Sequence, residues 1–438
     1  MSEVSEATSE TQTRSSRSIM ARLSVMMFLQ YFIQGSYLPI ASVYVQDTLG
    51  FTGRQVGWFG SALAVGPILT PFLLGQLVDR RFATQKVIAC CHLCGAVLML
   101  ALCTQTSFWP VIILGTAYSV VYIPTMMLTN SLAFQHLKTS DIEFPRTRLF
   151  GTAGFVVPAF LIEAWWLQGL EGEQLDKARV ICFVLAGLMG LVMGVYSLFL
   201  PHTPPAGKDK DDYAPGIIIG MMRYRHFMVL VLISFLIAIV HKFFFVWNSP
   251  FLREILDSGG EKGAFEMRIS SIGQFFEVLV MVVLGYSISK LGFKITLITG
   301  AVAYSVRCIL FAMVFGVGLS YEGRLALACI GQALHGICFG CFLAAAYIYV
   351  DRVAPKDVRG SMQTMYGTLV IALGFFAGGF ISGEVGEWFS TGTGDNVIRN
   401  WPMIWLSSAA LAAVCVVGLM LFFSPNLPDP EEESAGTA

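Results

Sequence analysis

Long apolar runs constrain this chain more than any other feature. Twelve of them lie at approximately 19–45, 55–78, 86–104, 108–134, 148–168, 177–200, 227–252, 266–289, 294–317, 324–350, 360–385 and 402–424. A helix needs about 20 apolar residues to cross a bilayer, and each run reaches or approaches that length. Lipid offers no water to a backbone amide, so a span must satisfy its N–H and C=O groups within itself, as a helix does. The runs therefore predict an all-α polytopic membrane protein with twelve transmembrane helices. Charged residues make up 13% of the chain, about half the share in ordinary soluble domains. The 43 glycines suit close helix contacts in lipid.

The most polar interruption, "PHTPPAGKDKDDYAPG" at 201–216, leaves six runs on each side. The reading that follows is a polar tail at 1–18, a six-helix bundle at 19–200, a linker at 201–226, a second six-helix bundle at 227–424 and a tail at 425–438. Both tails are expected to be disordered. The linker ends in "IIIGMMRYRHF", which reads as a short interfacial helix carrying Arg223 and Arg225. The first run, from Ile19, is too long for the apolar region of a signal peptide and lacks a small-residue cleavage site. Of the 28 lysines and arginines, 18 fall on the side of the N-terminus and eight on the other, with Lys242 and Arg307 inside spans. Basic residues collect on the cytoplasmic side, so both tails and the linker are expected there.

Several function classes are disfavoured. A net charge of −1 and the lack of a basic, aromatic-interleaved patch speak against nucleic acid. "ACCHLC" at 89–94 and "CFGC" at 338–341 lack a partner His/Cys pair at finger-like spacing. Their thiols read as small hydrophobes, so no metal and no cofactor is expected. No nucleophile–base constellation points to an enzyme.

The informative residues are polar ones inside spans, where charge is costly. Arg148, Thr152 and Phe155 in span five fall at i, i+4 and i+7, on one helix face. A planar donor fork, a hydroxyl and a stacking ring suit a flat, hydroxylated ligand. The plainer alternative is that Arg148 is a charge snorkelling at the inner helix end. Gln274 and Glu277 fall at i and i+3 in the apolar span eight, for substrate or proton handling or for a structural ion pair. Span seven holds His241 and Lys242, with Lys242, Phe245 and Ser249 on one face. Lys242 is expected to be coupled to Glu277. Span nine carries Arg307, and span ten Gln332 and His335. Gln30, Gln34 and Tyr37 in span one, with Tyr122, Thr125 and Asn130 in span four, suit the lining of a pathway for a small polar solute with a ring. In span eleven, Gly374, Gly378, Gly379 and Gly383 suit close helix contact.

The two halves echo each other. "GQLVDRRFATQK" at 75–86 joins spans two and three, and "GYSISKLGFK" at 285–294 joins spans eight and nine. Two six-helix halves with this pseudo-repeat resemble the major facilitator superfamily, which implies two pseudo-symmetric bundles about a central site. "GQLVDRR" resembles that superfamily's gating loop, which implies a gating role for Asp79 and Arg80; the alternative is a solvated turn. More specifically, "FLQYFIQGS", "YIPTMMLTNSLAF", "FPRTRLFGTAGF", "QFFEVL", "HGICFG…VAPKDVRGSMQTM" and "GGFISG" resemble the bacterial nucleoside:proton symporter family. The likeness covers nearly the whole chain. It implies that Arg148, Thr152, Phe155, Gln274, Glu277, Lys242, Phe245, His335 and Phe339 bind the nucleoside and that Glu277 handles the proton. Two positions depart from the family pattern. "HKFFF" places Lys242 and Phe245 where the family has amides, and His335 and Gly340 stand where it has a tyrosine and an acidic residue. The implied function is nucleoside import by proton symport across a bacterial inner membrane, by a monomer driven by the proton gradient and surrounded by lipid. The alternatives are a proton symporter for oligosaccharides or another hydroxylated metabolite, and a transport-dead sensor.

Overall fold

A computed structural model describes residues 2–70, 82–137, 140–204, 225–261, 263–354, 362–363, 366–392 and 397–425. The described chain is almost wholly helical; its one pair of strands, Ser390–Thr391 with Ile398–Arg399, is a short hairpin before the last helix. The first helix runs Ser2–Tyr37, so it begins inside the segment expected to be a tail. Nine described helices are long and apolar enough to cross a membrane. One of these, Glu266–Gly316, is 51 residues long and breaks at Gly292, whose φ of 75° and ψ of 169° are closed to residues with a Cβ. It therefore contains spans eight and nine back to back. Large side chains on its outer face, such as Val282 and Val283, are exposed and apolar, as a lipid solvent requires.

The chain forms two compact units: residues 1–210 with 247–271, and residues 211–246 with 272–438. The division differs from a cut at the central linker in one respect. The end of span seven and the start of span eight belong with the first unit, for a reason given by the ion pairs described below.

In the first unit, span one packs on spans five and six, and span three on spans four and six. Spans one and five touch backbone to backbone: a Cβ on Gly35 would lie 2.7 Å from Cα of Phe155. Span two starts at a capping box, in which Thr52 Oγ1 accepts from the Gln55 amide while Gln55 Oε1 accepts from the Thr52 amide.

The second unit is built around buried side chains that include Phe227, Ile237, Leu297, Tyr304, Phe342 and Tyr349. Span eleven sits close against span seven, as its glycines predict. A Cβ on Gly378 would lie 2.9 Å from Cβ of Lys242. Phe339 opens a wide π-helical stretch, Phe339–Ala344, within span ten. Such bulges re-aim side chains and recur at functional sites. Five cysteines are buried hydrophobes, whereas Cys90 and Cys94 face outward from the bundle.

Candidate functional site

The candidate residues fall into two groups, one in each unit. In the first, Arg148, Thr152 and Phe155 are half-buried on the helix Ser140–Leu161. Arg146, two positions earlier, is exposed. Arg148 instead turns inward, its Cζ 4.0 Å above the ring centre of Tyr31 in span one. At that distance the guanidinium is in cation–π contact with the tyrosine ring.

Three of the span-one and span-four residues expected to line a pathway, Gln30, Tyr122 and Thr125, are instead bonded to one another. Gln30 is fully buried; its Nε2 donates to Thr125 Oγ1 at 3.0 Å, and its Oε1 accepts from His92 Nε2 at 2.9 Å. The Tyr122 hydroxyl donates to the Gln30 carbonyl at 2.6 Å. These side chains satisfy one another and tie spans one, three and four together. Buried polar groups need such partners, and here they come from the bundle itself.

The second group lies in the second unit. Gln274 and Glu277 are half-buried on span eight, with Phe275 between them exposed. Spans eight and ten come close because Gly336 has no side chain; a Cβ there would lie 2.6 Å from the Glu277 amide nitrogen. That approach brings His335 to Glu277, with Nε2 3.9 Å from Oε2. His335 Nδ1 receives a hydrogen bond of 2.9 Å from Nη1 of Arg307 in span nine. His241 shares a 2.7 Å hydrogen bond with the Tyr304 hydroxyl, and its ring lies 5.5 Å from that of His335. Phe245 and Phe339 close on His241 with ring centres at 5.1 and 6.2 Å. Lys242 is buried on span seven against span eleven. Its expected pairing with Glu277 is not formed; Glu277 meets His335 instead. The helical face that carries Lys242 points toward Gly378, and spacing along span seven alone does not reveal that.

Arg307 and Tyr304 take a larger part than their sequence positions suggest. They fall at i and i+3 on span nine, and both are fully buried. That spacing was the available signal, but their partners on spans seven and ten are visible only in three dimensions. Asp79 and Arg80 lie outside the described residues.

A further polar cluster belongs wholly to the first unit. Glu163, buried at the end of span five, accepts from the backbone amides of Met267 at 2.7 Å and Arg268 at 3.1 Å, and from Arg268 Nε at 3.0 Å. A carboxylate thus caps the N-terminus of the helix that becomes span eight, where orphan amides and the helix dipole favour an anion. Arg179, fully buried, bridges Asp47 at 3.3 Å, Glu266 at 3.1 Å and Asp176. The Gly263 amide donates to the Leu170 carbonyl at 2.9 Å. These bonds hold residues 247–271 in the first unit. The sequence marks Glu163 as an intramembrane charge but not its partners, which lie about a hundred residues away.

Comparison with known proteins agrees with this architecture. The model of the nucleoside H+ symporter family matches residues 17–427. The putative nucleoside transporter YegT of Escherichia coli is 31% identical over 92% of this chain and 93% of its own length. The xanthosine permease of Escherichia coli is 27% identical over 95% of this chain and 98% of its own. A crystal structure of the nucleoside transporter NupG superposes with a TM-score of 0.80 at 22% identity, covering 92% of this chain and 98% of that one. The likeness establishes the major facilitator fold, and the family match establishes that this multi-span membrane protein belongs to the nucleoside H+ symporter family.

Proposed function

We propose that the protein imports nucleosides together with protons by alternating access. The observation that carries this reading is Glu277. It is an ionisable carboxylate on an apolar span, its side chain 24% exposed, with Gln274 one turn before it and His335 beside it. A carboxylate at such depth is costly unless it meets a ligand, a proton or a counter-charge. In the first unit, the N–H edge of Arg148 supplies directional donors and Phe155 a stacking ring, a pairing that suits a base and a hydroxylated sugar. In the second unit the candidate ligand contacts are Gln274, which offers an amide, with Lys242, Phe245, His335 and Phe339. Glu277 takes up the proton. One proton moving down 100 mV supplies about 2.3 kcal/mol from the electrical term, and no cofactor is needed. Asp79 and Arg80 gate the inner side. The protein works as a monomer in the bacterial cytoplasmic membrane with both termini inside, which the excess of inner basic residues supports.

The test is uptake by proteoliposomes with simultaneous recording of internal pH. Radiolabelled nucleosides, xanthosine included, are expected to accumulate and to acidify the lumen under an inward proton gradient. Accumulation of an oligosaccharide in place of every nucleoside would move the protein to another substrate class. Ligand binding without flux would make it a sensor.

A further inference from the structure

We propose that Arg307 is a positioning residue for proton coupling, which fixes His335 as a neutral donor aimed at Glu277 and so excludes that histidine as the proton carrier. The inference rests on the transport reading above. Its first step is a matter of donors and acceptors. A guanidinium has five N–H groups and no acceptor, and it does not deprotonate in proteins. In the 2.9 Å bond between Arg307 Nη1 and His335 Nδ1, the arginine therefore donates and Nδ1 accepts. Nδ1 then carries no proton, and the neutral ring carries its proton on Nε2. Nε2 is the atom that faces Glu277 Oε2 at 3.9 Å. Protonating His335 would set one N–H against another and would place a second cation beside a buried guanidinium.

The surroundings hold this arrangement. Arg307 is fully buried, with Cζ 4.2 Å from the ring centre of Phe244 and 5.1 Å from that of Tyr304. Its Nε and Nη2 have no hydrogen-bond partner among the described residues. Through Nη1 it is bonded to span ten. Other titratable or charged groups near Arg307 and His335 are His241, joined to Tyr304 and facing His335 ring to ring, Lys242 next to it on span seven, and the buried thiols of Cys308 and Cys338. Arg307, His335, His241 and Tyr304 thus form a bonded and stacked group beside Glu277, whose charge a proton can cancel without breaking the Arg307–His335 bond.

The experiment uses the full-length protein in proteoliposomes. Glutamine at 335 offers an oxygen to accept from Arg307 and an NH2 to donate toward Glu277, but it cannot take up a proton. His335→Gln is expected to lower the rate several-fold while keeping the proton-to-nucleoside ratio and the pH of half-maximal uptake. Arg307→Met is expected to lose gradient-driven accumulation, to keep nucleoside counterflow, and to move the half-maximal pH upward by about one unit, as removing a buried cation near a carboxylate does. Arg307→Lys keeps the charge but not the fork and should fall between. Loss of the proton ratio in a His335→Gln protein that still performs counterflow would overturn the proposal, because the proton would then ride on His335. A wild-type pH profile in Arg307→Met would overturn it too. Should Arg307→Met fail to fold, the His335→Gln ratio decides alone. Failure of wild-type protein to move nucleosides would instead overturn the transport reading.

Discussion

At the scale of single residues, the decisive question is which polar side chains serve the bundle and which remain for a ligand. Arg148 and Gln30 make the contrast. Both are polar groups in apolar spans, yet Gln30 is bonded at both ends of its amide, while Arg148 is held by a ring face at 4.0 Å. Arg148→Ala is therefore expected to lower nucleoside uptake about tenfold or more, the scale of a lost hydrogen bond from a charged donor. Arg148→Lys should recover little, since an ammonium lacks the planar fork. Initial rates normalised to the amount of protein in the membrane provide the check, and wild-type rates in Arg148→Ala would return it to a topology charge. The i, i+4, i+7 face of span five was legible because it needs only helical periodicity. The Glu277–His335 contact was not, because it depends on how span eight meets span ten. Lys242, the partner expected from the sequence, lies against Gly378 of span eleven.

At the scale of elements, close approach and helix ends carry the structure. Gly336 lets span ten reach the backbone of span eight, and a Cβ there would overlap Phe276 and Glu277. Gly336→Val should abolish stable protein, whereas Gly285→Ala, with nothing within 4 Å of the added Cβ, should be tolerated. Detergent-extracted yield and size-exclusion profile distinguish the two, and a well-behaved Gly336→Val protein would refute the close packing. Glu163 acts on an element in a different way, by capping the helix that begins at Glu266. Glu163→Ala leaves those amides and Arg268 without their acceptor, a loss of about 3–5 kcal/mol for a broken buried pair. Glu163→Gln keeps one acceptor and should cost less. Thermal unfolding in detergent is the readout, and equal midpoints in all three proteins would show that the cap contributes nothing. Most described helices lie where the apolar runs place them, although the first begins earlier, at Ser2. Their caps and breaks were less legible, since Gly292 lies in a stretch that reads simply as a short turn between two spans.

At the scale of the whole molecule, the two-half organisation follows from the polar break at 201–216, but the path of the chain through the units does not. Span seven passes from the second unit into the first at Val246–Trp247, and span eight returns at Ser271–Ile272. The Arg179 and Glu163 clusters hold the intervening segment to spans one, five and six. Alternating access moves one half against the other about a fixed site. The proposed transport cycle makes this segment the place to test whether packing partners change. Cys182 offers a built-in reporter, because it is fully buried three residues after Arg179 at the start of span six. In a protein whose other nine cysteines are replaced by serine or alanine, Cys182 should resist a membrane-impermeant thiol reagent applied outside. Arg179→Gln removes the cation that joins Asp47, Asp176 and Glu266, leaving only Arg253 beside Glu266. In that background Cys182 should react faster, and nucleoside plus a proton gradient should speed its reaction in the wild-type background as well. Modification at one rate in every background, with or without substrate, would show that the cluster is a permanent fastening and that the halves part elsewhere.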